Sequence, residues 1–208
     1  MEDWITLPPG ITAEGRPFTD PAHTEQDLAA IELMLAGLRR ATAAGGAVGP
    51  AGRSTTLALA GLAEARAHRA VLCDPRRLRG GQDLAWVGFF AEKRRDRDPA
   101  PLTAADDALI AELPRHPGIL SYSSLELASG DWGNLILLAD EAAREHWRTS
   151  ARHAHAVREL APAHYAVVRL HRGVLPGGLA GGRRPELRQT RYYDYRAEPV
   201  WRAERTLG

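Results

Sequence analysis

Cysteine occurs once in the 208 residues, as Cys73. An internal disulfide needs two thiols and a thiolate zinc cluster needs several, so both are excluded, and a reducing, cytoplasmic setting is expected. Lysine also occurs once, as Lys93; arginine carries the rest of the positive charge, and the formal net charge is only +1. Without a basic excess there is no long-range pull toward phosphate backbones, and no nucleic-acid partner is expected. No apolar run reaches the roughly 18 residues that a membrane span requires, so no membrane partner is expected. The opening MEDWITLPPG is acidic and proline-bearing, unlike a signal peptide. HExxH, G-x-S-x-G, the phosphate loop GxxxxGK[ST] and a GxGxxG after a strand are all missing. Zinc proteolysis, serine hydrolysis, and nicotinamide or other nucleotide chemistry therefore have no sequence support.

The residues that are present describe an ordinary globular chain, 44% hydrophobic and 25% charged. The length suits one main domain with an appendage: an N-terminal arm and helical extension over 1–80, then a domain over 83–208. Prolines before Asp20 predict an extended arm over 1–21, laid on a neighbouring surface or on another subunit. Thr24 and Asp27 resemble a helix start, and Leu28, Ile31, Leu35 and Leu38 carry the helix to about residue 44. Residues 55–72 read as a second helix or as a helix followed by a short strand. LAWVGFFA, from near Asp83, predicts a strand; Thr103 and Asp106 open a helix that Pro114 and Pro117 end. Residues 119–127 and 134–139 form a hairpin around ASGDWG. A helix over 140–160, the strand HYAVVRLHRG, a glycine-rich connection over 177–182 and a last strand over 188–195 complete the chain. The glycine-rich stretch reads as a hairpin connection or as a flap over a cavity mouth.

That order, βαββαβ and one more strand, is the ferredoxin-like α+β arrangement, with four antiparallel strands and both helices on one face. The other sheet face needs cover. A second copy packed there makes a dimeric α/β barrel, with the last strand completing the partner's edge, so a homodimer is expected.

The most informative stretch is DEAAREHWRTSARHAHAVREL, residues 140–160. At about 100° per residue on one helix, Arg144, Arg148, Arg152 and Arg158 fall with the glutamates on a wet side. Ala143, His146, Ser150, His153 and Val157 fall on the other, with Trp147 at its edge. Two imidazoles turned inward suggest a lined cavity, because a buried ring nitrogen needs a hydrogen bond, a metal or a ligand.

Each candidate has two readings. His153 is either a core histidine satisfied by a backbone carbonyl or by Tyr165, or a general base or heme ligand. His146, Ser150 and Tyr165 are candidate substrate contacts, His146 standing equally well at a solvated edge. Trp147 is either a cavity wall or part of the chemistry. Asn134 is either a turn amide or a donor toward a developing oxyanion. On the fourth strand Tyr165, Val167, Arg169 and His171 share one face by the two-residue period. There Arg169 pairs with a carboxylate at an interface; in the opposite register it is an anion anchor in the cavity.

Asn134-Leu-Ile-Leu-Leu followed by Trp147, Ser150 and His153 resembles the strand and following helix of the dimeric α/β-barrel superfamily, the antibiotic biosynthesis monooxygenase-like group and its heme-degrading relatives. The resemblance covers roughly residues 84–195. It implies a cavity between sheet and helices, with Asn134 and Trp147 near the reactive carbon of an aromatic or polyketide-like substrate, oxidised without a cofactor. By likeness to the heme-degrading members it implies instead an axial histidine, His153, on heme. The expectation is a small-molecule enzyme of bacterial secondary metabolism. A heme-dependent enzyme and a non-catalytic ligand-binding or assembly partner stand beside it.

Overall fold

Along Leu84–Lys93, Trp86 and Phe90 are buried on one side while Val87 and Phe89 turn to the other, the period of a strand. This strand, β4, lies mid-sheet in a computed structural model that describes residues 4–43, 54–56, 68–127 and 129–207. The fold is mixed α+β. In chain order the strands are β1 (Ile5–Thr6), β2 (Ser54–Thr56), β3 (His68–Leu72), β4, β5 (Ile119–Glu126), β6 (Trp132–Leu138), β7 (Tyr165–Leu175), β8 (Glu186–Asp194) and β9 (Trp201–Thr206). They join in one nine-stranded sheet, ordered β1-β9-β8-β7-β4-β6-β5-β3-β2. The central β7-β4-β6-β5 is antiparallel throughout. Helices cross between β4 and β5 and between β6 and β7, so two β-α-β units interleave.

The long helix α1 (Pro21–Ala43) starts earlier than Thr24. Asp20 accepts from the Ala22 N–H, and Pro21 tolerates the first helical position because its missing N–H would be unpaired there. Asp27 is no cap; it is buried inside the helix's packed face. Ile31, Met34, Leu35 and Leu38 are buried against Trp86, Phe90, Leu125, Leu135 and Leu137. Each such side chain removed from water contributes about 1.5–3 kcal/mol. This face was expected to meet a second copy; α1 of the same chain covers it.

The other ends of the chain also close on their own sheet. β1 runs parallel to β9, and Leu7 and Phe18 pack with Val167, Tyr192 and Ala203. The expected last strand is followed by β9, and both extend this sheet beyond β7 rather than a partner's. Of the alternatives for 55–72, a strand is seen at 68–72; residues 57–67 lie outside the described residues. The glycine-rich connection is no flap over the cavity: Leu179 is buried in the core beneath α1, and Arg39 of α1 donates to the Leu179 and Arg183 carbonyls.

The opposite sheet face carries α3 (Ala100–Glu112), α4 (Glu141–Arg148), α5 (Ala151–His155), a π-helical turn (Ala156–Leu160) and α6 (Ala161–His164). A four-residue helix, α2 (Pro75–Leu78), follows β3. Ala143 and Trp147 seat α4 on Ile119, Tyr122 and Leu138. α3, in contrast, has no buried residue although Leu102, Leu109 and Ile110 face inward. A cavity separates it from the sheet.

Candidate functional site

The expected single helix over 140–160 is broken. α4 ends at Thr149, whose hydroxyl donates to the His146 carbonyl, and Ser150 begins α5 by accepting the His153 N–H at 3.2 Å. Ser and Thr compete for local backbone groups in this way, and the break resets the helical phase. The consequence contradicts part of the helical-wheel reading. His146 is exposed, its ring 5.6 Å from that of His116, so it is not in the cavity wall. Trp147 is buried instead, and Arg144 and Arg148, expected in solvent, line the cavity.

The cavity measures about 310 Å3. Val87, Phe89, Ile136 and Leu170 floor it from the sheet; α3 and the π-helical turn, through Leu109, Val157 and Leu160, roof it. A π turn opens the helix by one residue, a distortion frequent at functional sites. Asn134, Trp147, His153 and Tyr165 all line this space. Tyr165 was expected on the Arg169 face. β7 skips Ala166 in its pairing with β4, so the bulge turns Tyr165 to the cavity side, with its ring edge-on to Phe89 at 5.5 Å. Ser150 is buried behind the wall, where its hydroxyl donates to Glu112 at 3.2 Å.

Arg169 is on the opposite face. Beneath α1 its guanidinium donates to Asp27 at 2.6 and 3.0 Å, and His171 lies 2.9 Å from the same carboxylate and 2.9 Å from the Thr190 hydroxyl. The anion-anchor alternative for Arg169 is thereby corrected: the strand register turns it away from the cavity, and its partner is a carboxylate of its own chain.

Several cavity groups lack protein partners. Asn134 Oδ1 is buried with no hydrogen bond. Among the described residues the ring nitrogens of His153 and the hydroxyl of Tyr165 make none either. The His153 ring lies 5.3 Å from that of Trp147. Burial first, then the charge of Arg148, pulls the His153 pKa down to about 4. Burial, then Asp106 and Asp131, pushes Tyr165 up to about 12.

Sequence reasoning missed the supporting residues because they come from distant segments. Glu112 accepts from Ser150 and lies 3.1 Å from His116, whose ring meets Trp147 edge-on at 4.6 Å. Tyr122 donates to Asp106 at 2.8 Å, and Arg69 pairs with the same carboxylate. Arg172 of β7 and Arg191 of β8 add to Arg144 and Arg148 in the wall. The two-residue period in VVRLHR, which sets Arg172 on the face of Val168 and Leu170, was the signal for Arg172.

No family model matches the chain. No curated protein matches it either. Among solved structures, the crystal structure of protein SO0527 from Shewanella oneidensis is similar at 18% identity and a TM-score of 0.38, over 46% of this chain and 94% of that one. Among the described residues no helix is long and apolar enough to cross a membrane.

Proposed function

We propose that this cavity takes a small aromatic or polyketide-like molecule and oxidises it, with His153 as base and Asn134, Trp147 and Tyr165 holding the reacting ring. The observation that carries this reading is that Asn134, whose buried Oδ1 is unpaired, His153 and Tyr165 all line one apolar space. A buried acceptor without a partner, as Asn134 Oδ1 is, costs about 1–3 kcal/mol. A ligand with a hydroxyl or carbonyl at its edge and flat apolar faces supplies the missing bonds.

Neutral at pH 7, His153 accepts a proton only from an acidic donor. An isolated phenol, with a pKa near 10 like tyrosine's, is about six units too weak for that base. A carbon acid flanked by carbonyls, its anion steadied by Asn134, is a closer match. The resulting carbanion passes electrons to dioxygen. At a ring methylene the balance is R2CH2 + O2 → R2CO + H2O: one oxygen atom stays on carbon, and the other leaves as water with both hydrogens. The order β7-β4-β6-β5 supports a ferredoxin-like core, and the strand, tryptophan, serine and histidine resemblance supports the monooxygenase-like reading. A homodimer belongs to this proposal only through surfaces other than the sheet face beneath α1.

Heme fits the residues less well. An iron-bound imidazole usually gives its other N–H to an acceptor, and His153 has no such partner; the nearby Glu112 is held by Ser150 and His116.

The test is dioxygen uptake and quinone absorbance with 1,8-dihydroxyanthrone, corrected for the buffer rate. The wild type is expected to accelerate oxidation, and His153→Gln to lose roughly 100-fold or more, the usual share of a general base. If the compound binds but oxidises no faster than in buffer, the protein is a binder and the oxidation reading falls. A heme absorption band at roughly 400 nm in the protein as isolated, lost in His153→Ala, overturns the cofactor-free reading.

A further inference from the structure

The cavity wall carries more positive charge than proton transfer uses. Arg144, Arg148 and Arg191 each have a carboxylate: Arg144 meets Glu141 at 2.7 Å, Arg148 meets Glu145 at 3.1 Å and Arg191 meets Glu204 at 3.2 Å. Arg172 has none among the described residues. One terminal nitrogen donates to Gln189 Oε1 at 3.3 Å, while its Nε is buried with no acceptor. Burial, then Arg191 and Arg144, pulls its pKa down to about 10, so the guanidinium is still charged at neutral pH but unfavourably placed. An arginine among arginines, without a carboxylate and in the wall of an apolar cavity, is a receptor for a planar anion.

Its place on the sheet sets the ligand's length. Arg172 pairs with Val87 and Val87 with Ile136, whereas Asn134 stands one same-face step further along β6. Two strand spacings and a two-residue step put the two Cα atoms on the order of 12 Å apart. A ligand of two or three fused rings spans that gap. We infer that the molecule bound here is an aromatic carboxylic acid, its carboxylate held by Arg172 and its hydroxyl or carbonyl edge presented to Asn134 and His153. This inference rests on reading the cavity as a small-molecule site.

Calorimetric titration tests it with 6-hydroxy-2-naphthoate, whose carboxylate and hydroxyl lie at opposite ends of the fused rings, and with 2-naphthol and 2-naphthyl phosphate as probes. The naphthoate is expected to bind at least about 10-fold tighter than naphthol, the scale of a charge-assisted hydrogen bond. That preference should vanish in Arg172→Gln, while naphthol affinity stays, which also shows the variant to be folded. Arg172→Lys should retain part of it, because the charge remains without the fork. Equal affinity of naphthoate and naphthol for the wild type overturns the inference and leaves the cavity reading standing. So does a preference that survives Arg172→Gln. Tighter binding of naphthyl phosphate than of naphthoate overturns the carboxylate assignment in favour of a phosphate ester. Failure of all three probes to bind sinks the small-molecule reading and this inference together.

Discussion

Asp27 and Arg169 form a two-bond pair, Nε to Oδ2 at 2.6 Å and Nη2 to Oδ1 at 3.0 Å, that fastens α1 to β7 across a buried interface. His171 shares the carboxylate, so its Nε2 carries the proton it donates to Asp27. Asp27→Ala leaves a buried guanidinium uncompensated and should destabilise the fold by about 3–5 kcal/mol, read from urea unfolding. Burial raises the Asp27 pKa, but the hydrogen bonds from His171 and Arg169 outweigh it, so the net displacement is downward from 3.8. Its stabilising share is therefore complete above that value and is lost as pH falls through the lower folded-state value. The wild type should lose stability in acid more steeply than Asp27→Ala; parallel acid titrations would contradict this pairing.

His153 also loses stability on acidification, but over a higher pH window. Its folded-state pKa of about 4 lies below the ordinary imidazole value of 6.5. Between those two values the unfolded chain binds a proton that the folded one does not, so stability falls as pH drops through that window and is unaffected above it. The loss is on the order of 3 kcal/mol for a shift of this size. His153→Gln should flatten the stability profile between pH 6.5 and 4, measured by urea midpoints across that range.

Ser150 caps α5 and donates to Glu112. Ser150→Ala should cost about 1 kcal/mol of stability. It should also weaken probe binding, because α5 carries His153; Ser150→Thr, which keeps the hydroxyl, should restore both. Unchanged unfolding and binding in Ser150→Ala would show the cap to be irrelevant.

Ala105 lines the cavity from α3. Ala105→Leu adds three carbons to unfilled apolar space, so thermal stability should hold or rise, while binding of 2-naphthol and dioxygen uptake should fall together. Retained binding would place the ligand elsewhere.

Local pattern was enough for much of the fold. The two-residue period of β7, the aromatic and β-branched run of β4, the turn residues between β5 and β6, and the helical spacing of Leu28, Ile31, Leu35 and Leu38 in α1 are signals that lie within one element or one turn. Asn134 and His153 were legible as candidates for the same reason: each stands at a polar position in an apolar pattern. Misread features depend on a single displaced residue. The skipped Ala166 moves Tyr165 to the cavity, and the Ser150 cap moves His146 out of it. A helical or strand period assumed to be unbroken cannot register either change.

The amino-acid order by itself determined which segments pair a wet side with a dry one, and so the order of helices and strands from β4 to β8. Tertiary structure alone decided what covers each sheet face, because cover is a competition between surfaces distant in the chain. α1 won the face on which a second copy was expected, burying Asp27 against Arg169. It also decided that Arg172, Asn134 and His153, from three separate elements, look into one space. Convergence of that kind is set by strand register and helix docking, which no local period contains.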